Sequence, residues 1–223
     1  VALGDIDNDG DLDLVCGNDG QSTLYLNDNG TFQNLPVWYS VTATTRGVAL
    51  GDIDNDGDLD VIFANNTAAN TGYFNDGGVL QTGPGWFLTS KTNTQEVSLG
   101  DIDGDGDLDL VCGNGGSWYQ MQNRLYLNDG NGRFRDATMG RMPIDGDSTN
   151  AVALADVDGD GDLDLVCGSN GPSVLYLNAG GTLQNTIAWS SQLADTRSVV
   201  LGDLDGDGDL DLVCGNFGQS TVY

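Results

Sequence analysis

Five copies of one nine-residue acidic segment punctuate this 223-residue chain. A sequence with that period folds as a series of like units, each too small to bury a core alone. The copies are Asp5, Asp7, Asp9, Asp11 and Asp13; Asp52, Asp54, Asp56, Asp58 and Asp60; Asp101, Asp103, Asp105, Asp107 and Asp109; Asp156, Asp158, Asp160, Asp162 and Asp164; and Asp203, Asp205, Asp207, Asp209 and Asp211. Each reads Asp-x-Asp-x-Asp-Gly-Asp-Leu-Asp, and the first aspartates are 47, 49, 55 and 47 residues apart. The units run over about 1–47, 48–96, 97–150, 151–197 and 198–223, in a single domain spanning 1–223.

Four short segments surround each loop. In the first unit they are Val1–Gly4, Leu12–Cys16, Thr23–Leu26 and Phe32–Tyr39, separated by Gly, Asn and Asp. Short β-branched or aromatic runs bounded by turn residues read as strands. Four strands per unit of this length predict an all-β chain, a β-propeller of four-stranded blades with about five repeats, the last incomplete. The third unit carries five extra residues between its second and third strands, in the stretch Gly115–Gln122, so a private function of one blade is expected there. The chain stops at Tyr223, early in the third strand of unit five. It therefore reads as part of a longer repeat protein, or as a chain that completes its last blade from a neighbour.

In the acidic loop, alternate carboxylates at positions one, three and five can converge on a cation. Gly at position six permits the turn, position seven offers a carbonyl, and position nine closes the shell. Oxygen ligands in that number suit Ca²⁺, up to five ions, better than octahedral Mg²⁺ or the His- and Cys-seeking metals. An EF-hand shares the first seven positions. Its twelfth, a Glu, is here Cys16, Phe63, Cys112, Cys167 or Cys214, and strands flank the loop in place of helices. Position eight, Leu12, Leu59, Leu108, Leu163 and Leu210, is expected to turn into the blade core. The alternative is a solvated acidic face; 25 of the 33 aspartates lying in five identically interrupted loops argues against it.

The net charge is −27, with 7 Lys and Arg against 34 Asp and Glu, which argues against nucleic acid and anionic membranes as partners. There is no His, which removes Ser-His-Asp and Cys-His chemistry. No apolar run approaches the ~20 residues of a membrane span, so no membrane insertion is expected. Neither a secretion signal nor an initiator Met is present, and the chain reads as a mature or internal segment.

The run Leu-Gly-Asp-Ile-Asp-Asn-Asp-Gly-Asp-Leu-Asp-Leu-Val-Cys-Gly followed by Leu-Tyr-Leu-Asn-Asp resembles the FG-GAP and VCBS repeats, including integrin α-chain propellers and certain fungal and bacterial lectins. The resemblance covers essentially the whole chain. It implies a propeller, often seven-bladed, with Ca²⁺ in hairpin loops at one face, and functions of adhesion, ligand display or sugar binding outside the cell. All 25 loop aspartates match its calcium positions.

Four cysteines occupy one repeat position on a core-facing strand, and their spacing in successive blades exceeds the reach of a disulfide, so buried free thiols are expected. Trp38, Trp86 and Trp189 also align. Blade-to-blade packing is the simpler reading of that row, and sugar stacking in grooves between blades is the other. Trp118, beside Tyr119 in the insert, is the aromatic to test for ligand contact. Arg46 and Arg197 are expected to pair with nearby aspartates. Asp136, Asp145, Asp147 and Asp195, outside the loops, form no constellation, and an enzyme is not expected. The expected function is a calcium-binding module, extracellular or cell-surface (secreted), taking a protein or carbohydrate ligand. The alternative is an assembly protein that self-associates through its open last blade.

Overall fold

The computed structural model describes residues 1–87, 93–116, 122–144, 146 and 148–223. Within them the chain is a β-propeller of antiparallel blades. Blade three runs Thr94–Gly100, Asp109–Asn114, Arg124–Leu127 and Arg135–Asp136 from inside to outside; blade four runs Thr149–Ala155, Asp164–Ser169, Val174–Asn178 and Leu183–Ser190. Blade five has Thr196–Gly202, Asp211–Asn216 and Thr221–Val222. One register recurs: Leu3 faces Leu14, Leu50 faces Val61, Leu99 faces Leu110, Leu154 faces Leu165, and Leu201 faces Leu212.

Blades one and two share a strand. Trp38–Gly51 pairs first with Asp19–Tyr25 and then with Asp60–Asn66, so the outer strand of one blade runs directly into the inner strand of the next. The expected outer strand Phe32–Tyr39 is therefore corrected. Thr31–Phe32 instead closes a small hairpin on Asn27–Asp28, and blade pairing begins at Trp38. Pro36 lies in the break, where a residue without an N–H cannot extend a ladder.

The core lies between blades. Blade one contributes Ile6, Val15 and Leu24 to a cluster completed by Val61, Phe63 and Tyr73 of blade two, and the same arrangement recurs at the next three seams. A glycine makes the close approach possible at the first three seams, and Ala155 takes its place at the fourth. A Cβ on Gly4 would stand 2.7 Å from Leu50 and 2.9 Å from Leu59; on Gly51, 2.9 Å from Leu99 and 2.8 Å from Leu108; on Gly100, 3.1 Å from Leu154 and 2.7 Å from Leu163. Leu59, Leu108 and Leu163 thus sit half-buried at the seam, each on the glycine of the preceding blade, and Leu59 and Leu163 pack against the core clusters there. Position two is buried more deeply in the same seams, with Ile6, Ile53 and Ile102 at most 1% exposed. Leu12, in the first blade, is exposed.

Away from the acidic loops, hydroxyls and amides fasten neighbouring blades. The Ser22 hydroxyl meets that of Thr45, which donates to Asn65 Oδ1; Asn70 donates to Thr94, which donates to Asn114 Oδ1; Asn123 donates to Thr149; Ser173 meets Thr196, which donates to Asn216 Oδ1. A buried polar row of this kind stabilises only because its members find partners.

The cysteines are free thiols, buried at 112, 167 and 214 and half-buried at 16. Burial pushes the Cys112 thiol up to about 12, which leaves it inert as a nucleophile. The tryptophans pack at the seams: Trp38 lies against Phe63 and Tyr73, Trp86 against Phe134, and Trp189 against Tyr223. Arg197 pairs with Asp195 at 2.7 Å. Arg46 does not behave as expected; it stands exposed at the bulge between Thr45 and Gly47 with no ion pair among the described residues. Trp118, Tyr119, Asp145 and Asp147 lie outside the described residues.

The seam geometry separates two equivalent glycines. Gly100→Val forces a side chain into Leu154 and Leu163 and is expected to cost about 1–3 kcal/mol. Gly202→Val, with nothing within 4 Å of the new Cβ, is expected to stay within about 0.5 kcal/mol of the parent. Urea denaturation midpoints of the two variants check this, and equal losses would contradict the seam assignment.

Candidate metal centres

Each loop is wound around its first aspartate. Asp5 accepts the N–H groups of Asp9 and Gly10 at 3.0 and 2.9 Å, and Asp101 accepts those of Gly104, Asp105 and Gly106 at 2.8, 3.1 and 2.9 Å. Asp52, Asp156 and Asp203 repeat the pattern. Position six is left-handed, with φ of 94° at Gly10, 97° at Gly57, 94° at Gly106, 97° at Gly161 and 99° at Gly208, which requires Gly. Position four is left-handed as well, and sequence reading missed it. Its signal was the restriction to Asn8, Asn55 and three glycines, the residue types that tolerate this conformation.

The ninth carboxylate anchors the loop to the sheet. Asp13 accepts the N–H of Ile6 at 2.9 Å and of Asn27 at 2.8 Å; Asp60 accepts those of Ile53 and Asn75 at 3.0 and 2.7 Å; Asp109 accepts those of Ile102 and Asn128 at 2.9 and 2.9 Å; Asp164 accepts those of Val157 and Asn178 at 2.9 and 2.8 Å. Asp211 retains the bond from Leu204 at 2.8 Å. The same asparagines then reach across the seam: Asn75 donates to the Ile6 carbonyl, Asn128 to that of Ile53, and Asn178 to that of Ile102. Loops one to three are thereby bound to their own blade and to the next.

The structure brings together the carboxylates of positions one, three and nine. In Asp5, Asp7 and Asp13, and in the equivalent trios of the other four loops, one oxygen from each lies within 4.8 Å of the others. Positions five and seven are turned differently. Asp9 accepts the N–H of Asp11 and Asp11 that of Asn29, so these two serve the loop backbone at its outer lip. Asp56, Asp105, Asp160 and Asp207 repeat the first of these bonds. Asp58 and Asp162 repeat the second, toward Gly77 and Gly180, while Asp107 accepts from the Asn55 side chain and Asp209 N–H donates to Asp207. Positions one, three and five were expected to converge with position nine closing the shell; the carboxylates that the structure brings together are those of positions one, three and nine.

The trios suit a hard cation. One carboxylate oxygen in each of Asp7, Asp54 and Asp103 is buried without a hydrogen-bond partner. Burial, opposed by the N–H groups of Asn75 and Ile53, pushes Asp60 up to about 7; burial likewise pushes Asp109 up to about 6. Burial and the neighbouring aspartates also raise Asp7 and Asp54. Like-charged, partly desolvated oxygens without donors are what a divalent ion relieves. No nitrogen or sulfur ligand stands among them.

Blade three differs from the others. Four of the seven basic residues, Arg124, Arg133, Arg135 and Arg141, fall in it. Its short outer strand is followed by the helical turn Thr138–Arg141, with Gly140 at φ 95°. Asp136 accepts the Thr138 N–H and pairs with Arg124 at 3.0 Å; partial burial works against ionisation there, but Thr138 and Arg124 outweigh it and hold the carboxyl below its usual range. Between this turn and residues 182–185 of blade four lies a cavity of about 330 Å³, lined by Gln122, Met139, Met142, Ile144 and Gln184 among others, with no ionisable group among the described residues that line it.

A family model described as an FG-GAP-like repeat matches residues 5–63, 52–112, 101–167 and 156–214. No curated protein matches the chain in sequence at a significant level. Among solved structures, the V. cholerae biofilm matrix protein Bap1 is similar with a TM-score of 0.53 and 20% identity, over 96% of this chain and 34% of that one. An Agrocybe aegerita lectin, described for its recognition of non-reducing terminal N-acetylglucosamine, gives 0.54 and 19%, over 99% and 64%. BBS1N, solved in complex with ARL6DN, gives 0.62 and 13%, over 99% and 63%. At these identities the likeness is one of fold, and the chain spans less than two thirds of each of the three.

The two roles of loop carboxylates separate by mutation. Asp109→Ala strands two buried N–H donors and is expected to cost at least about 2 kcal/mol even in the presence of chelator. Asp105→Ala, at the exposed lip, is expected to cost less than half as much. Thermal melts in EDTA check the order, and equal losses would remove the anchoring role.

Proposed function

The chain belongs to the FG-GAP-like repeat family, and on that premise we propose that it is a calcium-stabilised extracellular β-propeller that works as a binding or adhesion module. The observation that carries this is the trio of converging carboxylates in every loop, with a buried, unpartnered oxygen at position three in loops one to three. Oxygen-only ligands in a flexible loop favour Ca²⁺ over Mg²⁺. Loops of this kind can be weak, with dissociation constants of about 10⁻⁴–10⁻³ M, and fill where calcium is millimolar. That supports an extracellular setting, as does the likeness to a biofilm matrix protein and a lectin.

The cavity between blades three and four is the ligand site we propose. Its amides, hydroxyls and thioethers suit an uncharged polar ligand, a carbohydrate or an uncharged peptide segment, and one of its walls belongs to the blade that carries four of the seven basic residues.

A second reading, a role in assembly, is favoured by two exposed faces. Leu3 and Leu12 on the front of blade one are 58% and 55% exposed, and Val200 and Leu204 on the back of blade five are 59% and 61% exposed, although their counterparts in the inner blades pack at seams. Sedimentation that grows with protein concentration supports this reading; a concentration-independent monomer would remove it.

Equilibrium dialysis against excess calcium is expected to load about five ions per chain, and EDTA to lower the melting temperature substantially, because metal held only by the folded state adds to its stability. A melt indifferent to chelator with no bound calcium would overturn the calcium reading. For the cavity, Gln184→Ala and Asn185→Ala are expected to weaken any ligand found on a glycan array without altering calcium content.

A further inference from the structure

Loop three carries a cation of its own. Arg141 donates to Asp103 Oδ2 at 3.0 Å, with the arginine side chain 38% and the aspartate 17% exposed. The other ion pairs among the described residues, Arg124 with Asp136 and Arg197 with Asp195, involve no loop aspartate. Asp103 holds position three of its loop, and its Oδ1 is buried and unpartnered, as are those of Asp7 and Asp54. One oxygen thus remains open to an ion while the other is held by a guanidinium.

Arg141 is placed there by the local chain. It ends the turn Thr138–Arg141, and its Nη1 also donates to the Gly181 carbonyl at 3.3 Å. Gly181 itself lies against loop three: a Cβ on it would stand 2.7 Å from the Cβ of Asp103. The segments that meet at Arg141, 138–142 and 181–185, are the two walls of the cavity.

We infer that Arg141 is an affinity-setting residue for loop three: its fixed positive charge makes this the weakest of the calcium loops and links calcium occupancy there to the shape of the adjoining cavity. This inference rests on the calcium reading above. A unit charge beside a divalent ion, screened by water, weakens binding by roughly threefold to tenfold, and the effect shrinks as salt rises. Arg141 also leaves Asp103 a single oxygen for the ion, where Asp7 and Asp54 have no ion pair among the described residues. Calcium that fills loop three pushes against the guanidinium, and the displacement is delivered to Gly181 and to the turn at 138–141.

Calcium titration calorimetry on the whole chain tests this with Arg141→Gln, with Arg124→Gln as a control that removes an arginine outside the loops, and with Asp101→Asn to identify the loop-three step. Wild type is expected to show one step weaker than the others, absent in Asp101→Asn, tightened roughly threefold to tenfold in Arg141→Gln and unmoved in Arg124→Gln. Hydrogen exchange at 138–142 and 181–185 is expected to respond to that last step in wild type and not in Arg141→Gln. An unchanged or weakened loop-three step in Arg141→Gln, or an exchange response that survives it, overturns the inference and leaves the calcium reading standing. Absence of any calcium binding overturns both.

Discussion

The hydrogen bonds that the ninth aspartate of each loop accepts are the interaction on which the rest of this fold rests. Asp60 takes one N–H from its own loop at Ile53 and one from the end of the third strand at Asn75, so a single buried carboxylate closes the turn and fastens it to the sheet. Asn75 then carries the connection to the preceding blade through the Ile6 carbonyl. A buried carboxylate is unfavourable without such donors. Supplying them from three pieces of chain makes loop, blade and seam one cooperative object, and a nearby cation strengthens the same set of contacts by offsetting the charge.

Apolar packing follows from that anchor. Because Asp60 holds the Ile53 N–H, the position-two side chain is turned into the seam, where Ile53 is 1% exposed. Leu59, Leu108 and Leu163 then settle on the glycine of the neighbouring inner strand. At the opposite edge of the same seam the Thr and Asn row performs the equivalent task with polar groups. Each blade is therefore held at two levels, one dominated by carboxylate and amide contacts near the loops and one by hydroxyl bridges, with aliphatic and aromatic packing between them.

Much of this was legible in the sequence, and what was not has identifiable reasons. The period, the five acidic loops, the free thiols and the packing role of Trp38 follow from residues recurring in register. Leu59 and Leu163 reach the core as expected but only half-buried, and the deeper burial of Ile6, Ile53 and Ile102 was not legible because strand alternation cannot be carried across a loop that reverses the chain. The separation of Asp13 from Asp9 and Asp11 was hidden because all three are the same residue, and only the geometry shows which accepts buried N–H groups. The pairing of Arg141 with Asp103 spans 38 residues and breaks the repeat, so no comparison among units could reveal it.

That break in the repeat locates function better than the repeat does. Four loops and four seams are nearly interchangeable, and features that every blade shares are explained by stability alone. Blade three departs in several respects together: it has the insert, more than half of the basic residues, an outer strand cut short by a helical turn, and a cavity beside Met139 and Gly140 where blades one, two and four place a tryptophan. These departures converge, since the turn that shortens the strand both walls the cavity and delivers Arg141 to the metal loop. A scaffold whose blades are tied together through their acidic loops can tolerate one irregular member, because its neighbours hold it on either side. The irregular blade is then free to carry a specificity that the regular ones cannot.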